Sequence, residues 1–380
     1  MQDAMRILHL IEGLGGLGGA ERRLINDITR LNGKFTHAVG YLYSDDHFAP
    51  LLRERGIPVT GLGLSGPADP RTPFRLSGLI RRVRPDLIHT QLFGADFAGR
   101  LMGGWMSIPV CSTVQSSVYD SPEPFLVSRK QRWVDGWTAR HCVRRLVAVS
   151  RFVRTSLIRH LGVPEAKITV IPNAIDPEPY GTDRTAQAAA LRAAHSIPDR
   201  ELLFLTVGKL NPAKGHRHLI EAFARYLSRG REGVLAIIGE GPCREALKRQ
   251  AQAAGVADRI RWLGARSDVP DWMAACDLFL FPSVSEGLPF VLLEAMASAK
   301  PCVAFSIGPM GEVVESGTTG LLVPPADPAA LAEAMDRLAG DAETRRRMGA
   351  AGRRRVREYF HADAAARELG KLYETLEHPE

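Results

Sequence analysis

The sequence predicts an α/β protein of two Rossmann-like domains that face a cleft and are followed by a C-terminal helical segment. The chain has 380 residues, which is too long for one compact core and suits two domains of about 150 residues. Short apolar runs alternate with amphipathic segments of helical length, as in parallel sheets that are covered by helices. Several of these runs end in glycine-rich or lysine-bearing stretches, and sheets of this kind bind ligands beyond the carboxyl ends of their strands.

Apolar runs in the first half predict the strands of a first sheet. These runs span residues 6–11, 37–43, 87–90, 110–114, 146–149 and 169–171. A loop-like stretch with three prolines, 172–184, follows them and marks a domain boundary. We therefore expect an N-terminal Rossmann-like domain over residues 1–178.

The second half repeats this alternation. Its apolar runs predict strands at 202–207, 234–238, 261–263, 278–281, 302–305 and 320–323. Amphipathic segments predict helices at 215–228, 243–254 and 290–298, and the stretch 329–376 is expected to be entirely helical. The expected C-terminal domain spans 179–358, and the last helix, 359–380, is expected to pack back on the N-terminal domain.

Composition and cysteine spacing argue against several classes of protein. With 45% hydrophobic and 24% charged residues the chain is of globular type, and no apolar run reaches the roughly 18 residues that span a bilayer. The first residues show no secretory cleavage site. Five cysteines lie far apart without a Cys-x-x-Cys pair, which argues against a disulfide scaffold or zinc ribbon and indicates a reducing cytoplasm.

The formal charge of +7 is concentrated in the first half of the chain. Residues 1–178 hold 23 Lys and Arg against 16 Asp and Glu, whereas the remainder is neutral at 26 against 26. Within 129–159, nine basic residues accompany a single acid, Asp135. Nucleic acid, anionic lipid and a phosphorylated ligand are all compatible with this charge.

A glycine-rich loop follows the first predicted strand. It contains Gly13, Gly15 and Gly18 in the spacing of a dinucleotide fingerprint. Glycines let backbone N–H groups approach a phosphate, and the following helix N-terminus adds a favourable dipole. A tight strand-to-helix turn explains the same glycines equally well. One interpretation is a nicotinamide-dependent dehydrogenase, with Asp45 or Asp46 as its ribose-binding acid.

The second half carries charged residues beyond its predicted strands. Lys209 and Lys214 lie between a strand and a helix, where flexible ammonium groups suit a phosphate. Glu286 lies in a loop, and Glu294 lies within an otherwise apolar helix. A carboxylate among apolar residues needs partners, and the hydroxyls of a nucleotide ribose would supply them. Solvated lysines, a capping Glu286 and a salt-bridged Glu294 are the structural alternatives.

Together these motifs resemble retaining glycosyltransferase family 4, whose members have the GT-B fold. The resemblance rests on the pattern Glu286-x7-Glu294 and on further motifs along nearly the whole chain. These are the Gly-Leu-Pro at 287–289, the glycine loop ending in Glu21, and the segments 85–89, 149–153, 171–176, 208–215 and 317–327. The resemblance implies transfer of a sugar from a nucleotide donor to an acceptor.

The resemblance also implies roles for charged residues. Glu286 would contact the donor sugar near the reacting carbon, and Glu294 would bind the ribose hydroxyls. Lys209 and Lys214 would neutralise the donor diphosphate, whose negative charge grows as it departs.

Backbone groups would complete the donor site. The loop with Gly15 and Gly16 would close on the diphosphate from the N-terminal domain, and Gly287 and Leu288 would lie beside the sugar and phosphates. No Asp-x-Asp occurs in the chain, so we expect neither a metal nor another cofactor. The resemblance further implies front-face attack, in which the departing phosphate helps to take the acceptor proton.

Several positions depart from the family pattern. Lys209 stands where arginine is usual, and Ala174 stands where glycine is frequent. Gln91 and Gln115 replace histidines that relatives often carry on the acceptor side, and they are the acceptor-side candidates. His89 is a candidate catalytic residue, or a histidine that satisfies a backbone group at a strand end.

A predicted helix within residues 124–145 combines aromatic with basic residues. Trp133 and Trp137 lie four residues apart on one face, and Arg129 and Lys130 precede them. This pattern is typical of a helix that lies on anionic headgroups. The alternative is an ordinary amphipathic helix that packs its tryptophans inside. Nucleic acid is not an expected partner, because no known binding module is present.

The sequence thus predicts a retaining, metal-independent hexosyltransferase, cytoplasmic and peripheral at the inner face of the membrane. It would move a hexose or N-acetylhexosamine from a nucleotide-sugar, expected to be UDP-linked, to a saccharide or lipid-linked acceptor in bacterial-type glycan or glycolipid synthesis. A NAD-type Rossmann oxidoreductase and a non-catalytic sugar-nucleotide-binding or membrane-associated protein are the alternatives.

Overall fold

The two halves of the chain form separate compact units in a computed structural model of the protein. The structure describes residues 4–15, 18–43, 46–116, 118–120 and 128–377. The N-terminal unit consists of the described residues up to 173 together with those from 362 onward, and the C-terminal unit spans Ala174–His361.

The N-terminal unit is built on a seven-stranded parallel sheet. Its strands are β1 (Arg6–Ile11), β2 (Thr36–Tyr41), β3 (Val59–Gly61), β4 (Leu87–Gln91), β5 (Val110–Val114), β6 (Arg145–Ala148) and β7 (Ile168–Val170). They follow the order β3-β2-β1-β4-β5-β6-β7. Strand β4 is buried along its whole length, as expected of a central strand whose sheet is covered on both faces.

Among the described residues, six α-helices connect these strands. They are α1 (Gly19–Leu31), α2 (Ala49–Glu54), α3 (Thr72–Val83), α4 (Phe93–Trp105), α5 (Arg129–His141) and α6 (Arg151–Leu161). Ser128 and Ser150 cap α5 and α6, because each side chain accepts a hydrogen bond from a backbone N–H of the first turn.

The C-terminal unit is built on a six-stranded parallel sheet. Its strands are β8 (Leu202–Val207), β9 (Gly233–Ile238), β10 (Ile260–Gly264), β11 (Leu278–Phe281), β12 (Cys302–Phe305) and β13 (Gly320–Val323), in the order β10-β9-β8-β11-β12-β13. Its helices are α7 (Glu178–Gly181), α8 (Thr185–Ala194), α9 (His216–Ser228), α10 (Arg244–Ala253), α11 (Val269–Ala275), α12 (Phe290–Ala297), α13 (Met310–Val313), α14 (Pro328–Ala339) and α15 (Ala342–Tyr359).

The two-domain α/β fold with a helical C-terminus is confirmed, with two corrections. Strand β3 was not expected, because three residues after Pro58 are too few to show a pattern. The stretch 329–376 is helical as expected, apart from two short breaks that the sequence pattern did not reveal. The chain breaks after α14, where Asp341 starts a new helix by accepting a hydrogen bond from the Thr344 N–H (2.9 Å), and breaks again at Phe360.

The last helix, α16 (Ala362–Glu377), belongs to the N-terminal unit, where it packs on α1. Leu369 and Tyr373 on its inner face are fully buried. At its rim, Arg30 Nε donates to an Asp363 carboxylate oxygen at 2.7 Å. The chain therefore returns to the unit in which it began.

Candidate active site

Three loops of the C-terminal unit meet beyond the carboxyl ends of β8, β9 and β11. Gly215 and Gly239 have positive φ values of 64° and 145°. A Cβ on Gly239 would collide with the Gly208 carbonyl, and one on Gly215 would collide with the Pro282 carbonyl. Only glycine therefore allows these loops to come so close. Backbone bonds then join them, as in the bond from Val284 N to Ala213 O at 2.8 Å.

Lys214 and Glu286 form an ion pair at this meeting point. The Lys214 ammonium donates to Glu286 Oε1, and Ser283 Oγ donates to the same oxygen at 2.7 Å. Asn211 fixes the lysine loop, since its side chain accepts from the Lys214 N–H at 3.2 Å. Side-chain exposure is 27% for Lys214 and 10% for Glu286, so both charges are held in place with little solvent around them.

The other donor-site candidates of this unit lie close to Lys214 or to Glu286 in the sequence. Lys209 is exposed at the end of β8. Gly287 and Leu288 are buried in the segment that leads into α12, and Glu294 is buried within that helix. The loops thus bring Lys214, Glu286 and the start of α12 to one edge of the sheet.

His89 lies inside the N-terminal unit. Its Nδ1 is 2.5 Å from the Tyr373 hydroxyl, and its Nε2 is 2.8 Å from Thr113 Oγ1. Burial, followed by the charges of Arg23 and His37, lowers the pKa of His89 to about 3. A neutral imidazole with both nitrogens engaged favours the structural interpretation over a catalytic one.

Gln91 and Gln115 belong to a chain of polar side chains at the carboxyl edge of the same sheet. Gln115 Nε2 donates to Gln91 Oε1 at 3.2 Å, and Asn173 Nδ2 donates to Gln115 Oε1 at 3.2 Å. Arg23 Nη1 extends the chain to Asn173 Oδ1 at 3.4 Å, and its Nε is held by Asp27 at 2.6 Å. The two predicted glutamines are therefore brought together.

Sequence reasoning missed the part that Arg23 plays in this chain. Arginine in an amphipathic helix is usually exposed, yet Arg23 is 1% exposed. Asp27, one helical turn later, was the available signal, because residues at this spacing lie on the same helical face.

Of the two glycine-loop candidates, the structure describes only Gly15. It lies after β1 in the N-terminal unit, whereas Gly16 lies outside the described residues. At the start of this loop, Glu12 Oε1 accepts a hydrogen bond from the Gly94 N–H at 2.6 Å, so the loop is tied to the N-terminus of α4.

The basic aromatic residues of α5 lie at the surface. Arg129 and Lys130 are exposed in its first turn, and Trp133 and Trp137 have exposed fractions of 66% and 40%. The alternative in which both tryptophans pack inside is wrong. Among the helices that the structure describes, none is both long and apolar enough to cross a bilayer.

Two parallel sheets, with lysines and carboxylates beyond the strands of the second, are the arrangement of GT-B glycosyltransferases, and the comparisons with known proteins assign the chain to this class. Residues 17–179 match the family model Glycosyltransferase Family 4, and residues 187–355 match the model Glycosyl transferases group 1. The chain belongs to glycosyltransferase family 4.

Curated relatives and solved structures agree with this assignment. The chain is 32% identical over 334 residues to 2-deoxystreptamine N-acetyl-D-glucosaminyltransferase of Streptomyces fradiae, covering 84% of this chain and 78% of the relative. It is 26% identical over 283 residues to UDP-Gal:alpha-D-GlcNAc-diphosphoundecaprenol alpha-1,3-galactosyltransferase of Escherichia coli, covering 73% and 72%. The structure of Anabaena Alr3699/HepE in complex with UDP has a TM-score of 0.83 at 25% identity, covering 98% of this chain and all of that one.

Proposed function

We propose that this glycosyltransferase moves a hexose or N-acetylhexosamine from a UDP-linked donor to a saccharide or lipid-linked acceptor, with retention and without a metal. The observation that carries the proposal is the Lys214–Glu286 pair, set where three strand-end loops meet. The UDP complex of the Anabaena protein supports the choice of nucleotide.

The proposed donor chemistry follows from charge. As the bond between the sugar C1 and the diphosphate oxygen breaks, negative charge grows on the departing diphosphate, and Lys209 and Lys214 stabilise it. Glu286 holds Lys214 in position and contacts the sugar. Glu294 accepts hydrogen bonds from the ribose hydroxyls, with Gly287 and Leu288 lining the approach.

Retention in this proposal comes from attack on the face that the diphosphate leaves. The acceptor oxygen forms its bond to C1 on that face, and its proton passes to a phosphate oxygen. The lysines supply the positive charge that a metal supplies in other transferases, and no group of His, Cys, Asp and Glu suited to a metal occurs among the described residues. Gly15 keeps its proposed role on the diphosphate.

Of these two acceptor classes we prefer the lipid-linked one, reached from an anionic membrane surface at the inner, cytoplasmic face. Exposed Trp133 and Trp137 beside Arg129 and Lys130 support this choice. The name of the Escherichia coli relative includes a diphosphoundecaprenol. The 2-deoxystreptamine in the name of the Streptomyces fradiae relative suggests a small soluble acceptor instead. Such an acceptor does not explain why the two tryptophans are exposed.

Calorimetry with UDP, GDP, ADP and NAD tests the donor proposal. We expect UDP to bind, and we expect Glu294→Ala to weaken that binding at least about tenfold, because a hydrogen bond to a charged group contributes about 1.5–3 kcal/mol. Glu312→Ala, a carboxylate on α13 outside these loops, serves as the matched control. Unchanged UDP affinity in Glu294→Ala would overturn the ribose assignment, and NAD binding without UDP binding would favour the oxidoreductase.

A further inference from the structure

A groove of about 320 Å³ lies between α5 and the C-terminal end of α6 in the N-terminal unit. Arg129, Arg132 and Arg140 of α5 line it, together with His160 and Leu161 of α6. Three guanidinium groups around one concave surface make it suited to an anion.

Two of these arginines are fixed by the end of α6. Arg132 Nε donates to the His160 carbonyl at 3.0 Å, and Arg140 Nη1 donates to the Leu161 carbonyl. Each guanidinium carries five N–H groups, so this anchoring orients the fork and leaves further donors for a ligand. The carbonyls at the end of α6 therefore use only some of the N–H donors of the two guanidinium groups.

The carboxylate that contacts the groove residue His160 is already engaged. Asp120 Oδ1 is 2.8 Å from His160 Nε2 and 3.8 Å from Arg159 Nη1. In the part of the chain that the structure describes, Arg129, Arg132 and Arg140 have no carboxylate within ion-pair distance. The positive charge of the groove is therefore not neutralised by these residues.

An apolar shelf adjoins the charged floor. Trp133 lines the groove with 66% of its surface exposed, and Trp137 follows one turn later at 40%. The neighbouring helix α4 ends in Trp105, which is 70% exposed. Indole rings prefer the boundary between headgroups and acyl chains, whereas a free phosphate ion would use the arginines alone.

We infer that this groove binds the phosphodiester headgroup of an anionic membrane lipid. The arginines contact the phosphate oxygens, and Trp133 and Trp137 enter the interfacial layer. The inference rests on the membrane-associated part of the proposed function, and it does not depend on the donor chemistry of the C-terminal unit.

Adjacent basic residues provide a matched test. Arg129 lines the groove and Lys130 does not, although both carry one charge in the first turn of α5. We expect Lys130→Gln to lower co-sedimentation with phosphatidylcholine vesicles containing phosphatidylglycerol by about fivefold, the contribution of one basic residue near a charged surface. Arg129→Gln should lower it at least about tenfold more, because it also removes charge-assisted hydrogen bonds to the phosphate. An equal loss of vesicle binding in the two variants would mean that charge attraction is unspecific, and it would overturn the proposal of a headgroup site in the groove.

Two variants that keep the net charge test the shape of the groove. Arg132→Lys retains the charge but loses the planar fork. Gly136→Ala adds a Cβ that would lie 3.1 Å from Arg140 Nη1 and 3.3 Å from the Leu161 carbonyl oxygen, on the groove floor. Both should reduce vesicle binding several-fold, and wild-type binding in both would contradict the inference.

A soluble probe identifies the source of the phosphate. Glycerol 1-phosphate should bind far more weakly than vesicles, and Trp133→Ala with Trp137→Ala should reduce vesicle binding. Tight binding of the soluble probe, with vesicle binding unaffected by the tryptophan substitutions, would make the groove a site for a soluble phosphate ester and overturn the lipid source. UDP affinity and thermal unfolding of each variant report separately on the donor site and on folding.

Discussion

Lys214 and Glu286 are two charges that the C-terminal unit holds with little solvent around them. Removing one partner of such a pair leaves the other charge without compensation, which costs more than the pair contributes. Lys209 differs from Lys214 because it is exposed and lies at the end of β8. Both lysines are proposed to bind the same diphosphate, but only the loss of Lys214 would leave a partly buried carboxylate without its cation.

This difference leads to a prediction for the two lysines. Lys214→Ala should weaken UDP binding about 10- to 100-fold and also lower the free energy of unfolding by about 1–3 kcal/mol, because Glu286 loses its cation. Lys209→Ala should weaken UDP binding while the free energy of unfolding stays within about 0.5 kcal/mol of the wild type. Calorimetry and urea unfolding measure the two quantities. Wild-type UDP affinity in Lys214→Ala would exclude the lysine from the diphosphate site.

At the scale of elements, α16 completes the interior of the N-terminal unit. Its Tyr373 hydroxyl lies 2.5 Å from His89 Nδ1, and its ring meets Phe35 edge-to-face at a centroid distance of 5.5 Å. The helix therefore supplies a polar partner to the central strand β4 in addition to an apolar face.

We predict that Tyr373→Phe lowers the free energy of unfolding of the N-terminal unit by about 1–3 kcal/mol, since it leaves a buried ring nitrogen without a partner. Tyr359→Phe is the control, because Tyr359 is 57% exposed at the end of α15. Urea unfolding compares the two variants, and UDP affinity should be unchanged in both. A Tyr373→Phe protein as stable as the Tyr359→Phe protein would show that the hydroxyl contributes nothing.

Elements whose signals are local could be predicted from the sequence. Strands such as β1 and β11 are buried apolar runs, and the Lys214 loop combines an Asn cap with a glycine of positive φ. These features depend on neighbouring residues, so a pattern can reveal them. The position of Lys214, Glu286 and Gly287 at one sheet edge follows from the same logic, because parallel strands place their carboxyl ends together.

Features that depend on distant residues could not be predicted. Tyr373, one hydrogen-bond partner of His89, is 284 residues away in sequence, and the hydrogen bond between Arg23 and Asn173 joins residues 150 apart. The exposure of Trp133 could not be predicted either. A helical pattern shows which residues share a face, but it does not show whether a distant part of the chain covers that face. Three-dimensional contacts decide such cases.

At the scale of the whole molecule, four buried histidines among the described residues contribute most to the expected response to acid. Burial lowers the pKa of His37 to about 4, of His89 to about 3 and of His216 to about 4, and it lowers the pKa of His9 well below the ordinary value. Three of them form a group in the N-terminal unit, where His9 Nε2 is 3.0 Å from His37 Nδ1 and the His9 and His89 rings are 5.5 Å apart. Only His216 lies in the C-terminal unit.

Two buried carboxyls act in the opposite direction. Burial raises the pKa of Asp96 to about 6, and it raises the pKa of Asp27 against the opposing charge of Arg23. The folded chain therefore keeps protons on these groups at a pH where the unfolded chain releases them. Four histidines outweigh two carboxyls, so near pH 5 the unfolded state binds a net of about two to three protons more than the folded state.

The protein should therefore lose stability on acidification from about pH 6.5 to about pH 4, because unfolding then takes up protons that the buried imidazoles do not accept. A net of two to three protons corresponds to a slope of about 3–4 kcal/mol per pH unit near pH 5. Urea unfolding at a series of pH values between 7 and 4 measures this slope. His89→Gln removes one titrating group and should reduce the slope by about 1.4 kcal/mol per pH unit. Constant stability between pH 7 and pH 5 would mean that these histidines are protonated in the folded protein. An unchanged slope in His89→Gln would mean the same of His89 alone.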